Sequence, residues 1–281
     1  MGYYERALVI AILLGVVCGL VGTVVVLRRR AFFTQALTHA TFPGAVLAAA
    51  LGANVMLGAF ASSVVLIVAM TLLGRVHRQG SQVASGVVLT AGFALGVFLQ
   101  AFFPELPIHV DSYLIGSILN ATDGDLAATA TVLVVATVTL LLTGKEILFS
   151  TLDPAGFRAA GYREWVVEAI TLALVVITVV TAMPAVGAIL ALALVAAPAA
   201  AARLLARTTT QIFVLAPVIG ALSGVIGVVA SRSLGVAAGA SISLTAALFF
   251  VLALGISRLQ RLRWKRPAGR SSAGTEEAVR S

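Results

Sequence analysis

The sequence predicts an all-α polytopic membrane protein, and three observations carry that prediction. Of its 281 residues 60% are hydrophobic and 11% charged, against roughly 45–50% and about 25% in a soluble domain. Apolar runs at 7–27, 31–52, 54–74, 83–103, 126–143, 165–182, 186–202, 211–230 and 240–257 each come near the ~20 residues that cross ~30 Å of hydrocarbon. The basic residues cluster between these runs, a pattern of topology signals and not of a nucleic-acid surface, despite the net charge of +8.

The first run, Ala7 to Leu27, is stopped by Arg28, Arg29 and Arg30 with no small-residue cleavage site beyond, so it reads as a span and not as a removed leader. An external N-terminus and nine spans place 17 of the 19 basic residues in the cytoplasm and leave Arg6 and Arg232 outside. The C-terminus is then cytoplasmic. Cys18, the only cysteine, is read as core packing and excludes an intrachain disulfide. Gly-x-x-x-Gly spacings at Gly15/Gly19, Gly92/Gly96 and Gly220/Gly224 permit close helix approach.

The second run carries a polar seam where a membrane span ordinarily carries leucine and valine. Gln35 and His39 are four apart and lie one above the other on a helix, with Thr38 and Thr41 beside them. Pro43 and Gly44 follow and can break the hydrogen-bond ladder. A histidine at membrane depth faces a water-filled cavity or another helix, so the seam is either interhelical glue or a site on a transport path lined by Thr38, Thr41 and Pro43.

After the fourth run comes a loop with proline at both ends, Pro104 to Asp111, holding Glu105, His109 and Asp111. Carboxylate and imidazole suit divalent transition metals, although such groups on a loop are commonly just solvated. Tyr113 to Leu119 is too short to span and reads as a half-helix. Between the fifth and sixth runs, Asp153 is positioned as an N-cap, Pro154 as the first helical residue and Gly161 as the stop of a short surface helix. From Ala169 to Ala202 there are 34 residues without a charge, about 51 Å as one helix. That exceeds a bilayer, so the chain is expected to turn near Met183-Pro184-Ala185, and the count stands at eight or nine transmembrane helices. Residues 1–257 form the transmembrane domain; 258–281 form a basic tail, read as a lipid-facing anchor followed by disorder.

Three stretches in order resemble the permease subunits of bacterial ABC importers for manganese, zinc and in some cases iron. Arg28 to Gly44 is similar to that family's run of arginines, an aromatic, Ala-Leu-x-His-Ala and Pro-Gly. Asp111 to Leu119 with Asp123 and Asp125 is similar to its outer loop and short helix. Val186 to Arg207 is similar to its late span and basic exit. The resemblance implies a multi-pass permease in the bacterial cell membrane, carrying Mn2+ or Zn2+ as cargo and holding no permanent cofactor. It implies three partners: a second permease copy or paralogue, a cytoplasmic ABC ATPase, and an extracellular metal-binding lipoprotein or periplasmic protein. It also implies that Asp153, Pro154, Phe157 and Gly161 belong to the helix that couples to the ATPase, and that His39 is a metal ligand. The acidic ligand of relatives maps onto Gln35, a departure that replaces a hard negative ligand by a neutral carbonyl oxygen. A Gly-x-x-x-x-Gly-Lys-Ser/Thr phosphate loop and a hydrolase triad are both missing from the sequence, so the chain is read as no enzyme, with ATP hydrolysed by the partner. The competing readings are a secondary metal transporter or channel without an ATPase, with His39 in a proton relay, and a structural membrane protein.

Overall fold

Each of the nine apolar runs lies on a helix. The computed structural model describes residues 2–73, 81–103 and 116–264. In chain order the helices are α1 (Tyr3–Leu27), α2 (Ala31–Ala50), α3 (Val55–Leu73), α4 (Ser81–Phe102), α5 (Asp123–Leu152), α6 (Pro154–Ala159), α7 (Glu164–Val186), α8 (Ala188–Leu205), α9 (Thr209–Leu234) and α10 (Ala238–Trp264). Among the described residues six, namely α1, α4, α5, α7, α9 and α10, are long and apolar enough to cross a membrane, while α3 and α8 carry shorter apolar stretches. The segment read as a half-helix contributes, in its described part, only a 3-10 turn at Ile118–Asn120. Helix α10 runs on to Trp264, past the boundary set at 257. Residues 104–111, with Glu105, His109 and Asp111, lie outside the described residues.

Helix α1 is the axis of the bundle, with Ile10, Leu14, Val17, Cys18, Val21 and Val25 buried. Its main partner is α9. A Cβ on Gly15 would strike the Gly220 carbonyl, and one on Gly220 would strike Gly15 in return; Gly224 sits as closely on Ala11. Two of the three glycine spacings therefore make one crossing, backbone against backbone, in a setting where dispersion and not hydrophobic exclusion drives association. Helices α8 and α9 pack on α1 and with α10 complete this half, while α5 lies along α1 and α7. A second group, α2 with α3 and α4, meets the first through α7 and α8.

Local chemistry sets the helix ends. Helices α5 and α9 open with capping boxes, Thr122 with Asp125 and Thr208 with Gln211. The uncharged stretch does divide, at Gly187 and not at Pro184. Pro184 stays inside α7, and the chain turns where φ reaches +91°, a value glycine adopts without a Cβ penalty. Gly116 packs against this break, and the Ser117 N–H donates to the Pro184 carbonyl at 3.0 Å.

Ion pairs fasten both ends. At one end Arg6 pairs with Asp123 at 2.8 Å, and the Arg232 guanidinium lies 4.5 Å over the Tyr4 ring. At the other end Arg28, nearly buried, reaches Glu168 at 2.8 Å and Ser150 Oγ at 2.8 Å, joining α1 to α7 and α5.

Candidate functional site

Helix α2 packs on α3 and α4 and also meets α7 and α8, so part of its polar seam is covered. Pro43 does not break it. The helix continues to Ala50 although Pro43 has no N–H for the His39 carbonyl. Packing explains this: Gly44 meets Gly58 of α3 backbone to backbone, Ser62 Oγ donates to the Thr41 carbonyl at 3.3 Å, and the Phe42 ring fills the space beside Gly96 of α4. Neighbouring helices commonly hold a transmembrane proline in this way.

The seam divides into two kinds of residue. Thr34, Thr38 and Thr41 are fully buried, and their hydroxyls bond back along α2: Thr34 to the Arg30 carbonyl at 3.2 Å, Thr38 to Gln35 at 2.7 Å, Thr41 to Thr38 at 2.6 Å. Thr41 Oγ1 also lies 3.3 Å from Met183 Sδ of α7. Pro43 is buried as well. Thr38, Thr41 and Pro43, expected to line a path, are buried here, and the two threonine hydroxyls are satisfied by the backbone of their own helix.

Gln35 and His39 are only partly buried. Nδ1 of His39 is shielded from solvent and has no hydrogen-bond partner among the described residues. An unpaired buried ring nitrogen costs free energy, which a ligand or a water would restore. The imidazole stands edge-on to Phe93 of α4, ring centres 5.5 Å apart at 87°, and Phe93 in turn stacks on Phe42 at 6.0 Å. Phe93 was invisible in the sequence, one phenylalanine in an apolar run. A neutral imidazole and an amide carbonyl one turn apart, about 5–6 Å between Cβ atoms, can meet one divalent ion. Among the described residues no group of three or more His, Cys, Asp or Glu side chains is placed to hold a metal.

The surface helix α6 forms as its caps predict. Asp153 Oδ1 accepts from the Gly156 N–H at 2.8 Å, and Pro154 occupies the first turn. Gly161, at φ +83°, closes it in a Schellman motif, with the Tyr162 N–H donating to the Phe157 carbonyl at 3.3 Å and Gly161 to Arg158 at 3.0 Å. The ring of Phe157 stacks on Tyr162 at 4.9 Å and packs with Val24, Ile147 and Val167. Phe157 is 1% exposed. Phe157, named with Asp153, Pro154 and Gly161 in the expected coupling helix, thus faces the bundle, while Asp153, Pro154, Ala155 and Arg158 are exposed.

The sequence presents Arg28 and Arg30 as topology signals and as part of the arginine run of the family it resembles, and Glu168 simply as an acidic residue early in the sixth apolar run. The structure brings them together. One oxygen of Glu168 meets Arg28 at 2.8 Å and the other meets Arg30 at 3.0 Å.

Comparison with known proteins completes the picture. The profile described as the ABC 3 transport family matches residues 1–257. The manganese transport system membrane protein MntC of Halalkalibacterium halodurans is 31% identical over 258 residues, covering 92% of this chain and 88% of that protein. The manganese import system permease protein ScaB of Streptococcus parasanguinis is 31% identical, with 92% of each chain covered. The chelated iron transport system membrane protein YfeD of Yersinia pestis is 30% identical over 98% of this chain and 92% of its own length. Among solved structures, PsaBC from Streptococcus pneumoniae in complex with Fab superposes with a TM-score of 0.86 at 30% identity, covering 94% of this chain and 96% of that one. An inward-facing metal-chelate type ABC transporter, at 18% identity and a TM-score of 0.66, shares the fold. With a match over residues 1–257, this multi-pass membrane chain belongs to the ABC 3 transport family.

Proposed function

We propose that this chain is the membrane subunit of an ATP-driven importer of a divalent transition-metal ion, manganese first and ferrous iron second, working as a pair of permease chains. The His39 nitrogen, without a partner among the described residues and one turn from Gln35, carries this reading, in a family whose relatives are named for manganese and iron transport. Gln35 and His39 form a passing station for the ion, and Thr38 and Thr41 hold the helix that presents them. ATP is hydrolysed by a separate subunit seated on the exposed face of α6, and an external metal-binding protein delivers the ion at the opposite end of the bundle, where Arg6 and Arg232 lie. Zinc, the other ion suggested by the sequence, is the alternative cargo that the same uptake assay tests.

Reconstitution provides the test. Vesicles holding this chain and its ATPase are expected to accumulate manganese only with ATP; a cysteine at exposed Ala155 is expected to cross-link to the ATPase, with buried Cys18 silent as background. Uptake by the chain alone would instead make it a secondary transporter or channel.

The orientation follows from 17 basic residues at one side against two at the other. Nine spans put the two ends of the chain on opposite sides. An impermeant thiol reagent on intact cells is expected to label Tyr3→Cys at once and Arg258→Cys only after permeabilisation. Labelling of both without permeabilisation would require eight spans.

A further inference from the structure

We infer that the Glu168 carboxylate is the positioning group through which movement of the surface helix α6 reaches the polar helix α2. The inference rests on the reading of α6 as the seat of the ATPase. Helix α6 is held between the end of α5 and the start of α7, and both are gripped by one side chain. Arg28 donates to Ser150 Oγ at 2.8 Å and Thr151 Oγ1 at 3.3 Å on α5, and pairs with Glu168 at 2.8 Å on α7. Its side chain is 9% exposed, so these helix ends move as one body with the end of α1.

The second oxygen of Glu168 reaches across the next turn to Arg30, at 3.0 Å. Arg30 is the residue from which α2 starts, and its carbonyl accepts both the Thr34 N–H at 3.0 Å and the Thr34 hydroxyl at 3.2 Å. Gln35 follows five residues later and His39 nine, about 7 and 13 Å along the axis. A rigid helix pulled at its first residue carries both side chains with it.

Two further features mark this joint as built to move. Arg29, between the two paired arginines, holds φ at +57°, a left-handed position where glycine is usual and arginine is strained. The Arg30 half of the clamp is open to solvent, its side chain 41% exposed against 9% for Arg28. A pair wetted in this way exchanges partners readily, while the buried half stays closed. Helix α1 has no need of the Arg30 side chain for its own closure, since backbone bonds from Arg29 to Val26 and from Arg30 to Val25 end it already.

The experiment uses the reconstituted permease with its ATPase and manganese. Arg30→Gln keeps the Arg28 network and is expected to insert in normal amount, to hydrolyse ATP at the ordinary rate, and to lose about fivefold or more in manganese carried per ATP, within the range over which a coupling residue acts at a distance. Arg30→Lys, which restores one charged contact, is expected to recover most of the ratio. Adding Arg30→Gln to Glu168→Gln is expected to lower it no further than Glu168→Gln alone. An unchanged ratio in Arg30→Gln, a matched fall of hydrolysis and uptake, or additive losses in the double variant would each overturn the inference while leaving the importer assignment standing. Wild-type protein without ATP-dependent uptake would overturn the assignment itself, and this inference with it.

Discussion

His39→Ala is expected to lower manganese uptake about 100-fold, the upper end of what loss of a metal site's supporting group costs, with no fall in the amount of inserted protein. The reason is the scarcity of donors. Helices α2, α3 and α4 contain no acidic residue, so on the proposed path an ion replaces part of its hydration shell with the His39 imidazole and the Gln35 carbonyl. Without the imidazole the dication meets one neutral oxygen in a low-dielectric setting, where its attraction to any remaining ligand no longer offsets dehydration. Packing is a separate matter, because the ring also stands against Phe93. His39→Phe keeps an aromatic edge contact and removes both nitrogens, and is expected to transport no better than His39→Ala. Normal isotopic manganese uptake in both variants would reduce the seam to interhelical packing. Gln35→Asp is expected to act in the opposite sense on binding: a carboxylate tightens the station and slows release, so affinity rises while turnover falls. An unchanged affinity in that variant would remove Gln35 from the path.

Gly220→Leu is expected to be strongly destabilising. Its Cβ would enter the space of the Gly15 carbonyl on α1, and backbone atoms on both sides leave no flexible side chain to give way. Overpacking of a core costs about 1–3 kcal/mol, and separation of two backbones in contact belongs at or beyond the top of that range. Gly255→Leu is the matched control, since nothing lies within 4 Å of a Cβ built there. The thermal midpoint of the detergent-solubilised protein is expected to fall sharply for the first and to hold for the second. Equal midpoints would mean that the α1–α9 crossing does not organise the fold.

How far each element was legible depended on how far along the chain its partners lay. The caps of α6 could be read residue by residue, because Asp153 answers to Gly156 three positions on and Gly161 to Arg158 three positions back. The nine apolar runs could be read for the same reason: an α-helix makes its hydrogen bonds within four residues, and a span needs only length and apolarity. The i, i+4 placement of Gln35 and His39 belongs to this class, being a property of one helix.

What the sequence by itself determined was therefore the membrane class, the apolar helices, the caps of α6, and the placement of Gln35 and His39 on one face. Only the tertiary structure decided that Thr38 and Thr41 turn into the packing side, that Pro43 and Pro184 are absorbed while Gly187 turns the chain, that Phe157 is an anchor, and that Glu168 joins two arginines about 140 residues upstream. The physical reason is that lipid is as apolar as the interior of the bundle. A soluble helix advertises its buried face by its hydrophobic stripe, whereas the spans here are apolar all round, and which side meets a neighbour is settled by small residues and ion pairs distant in sequence.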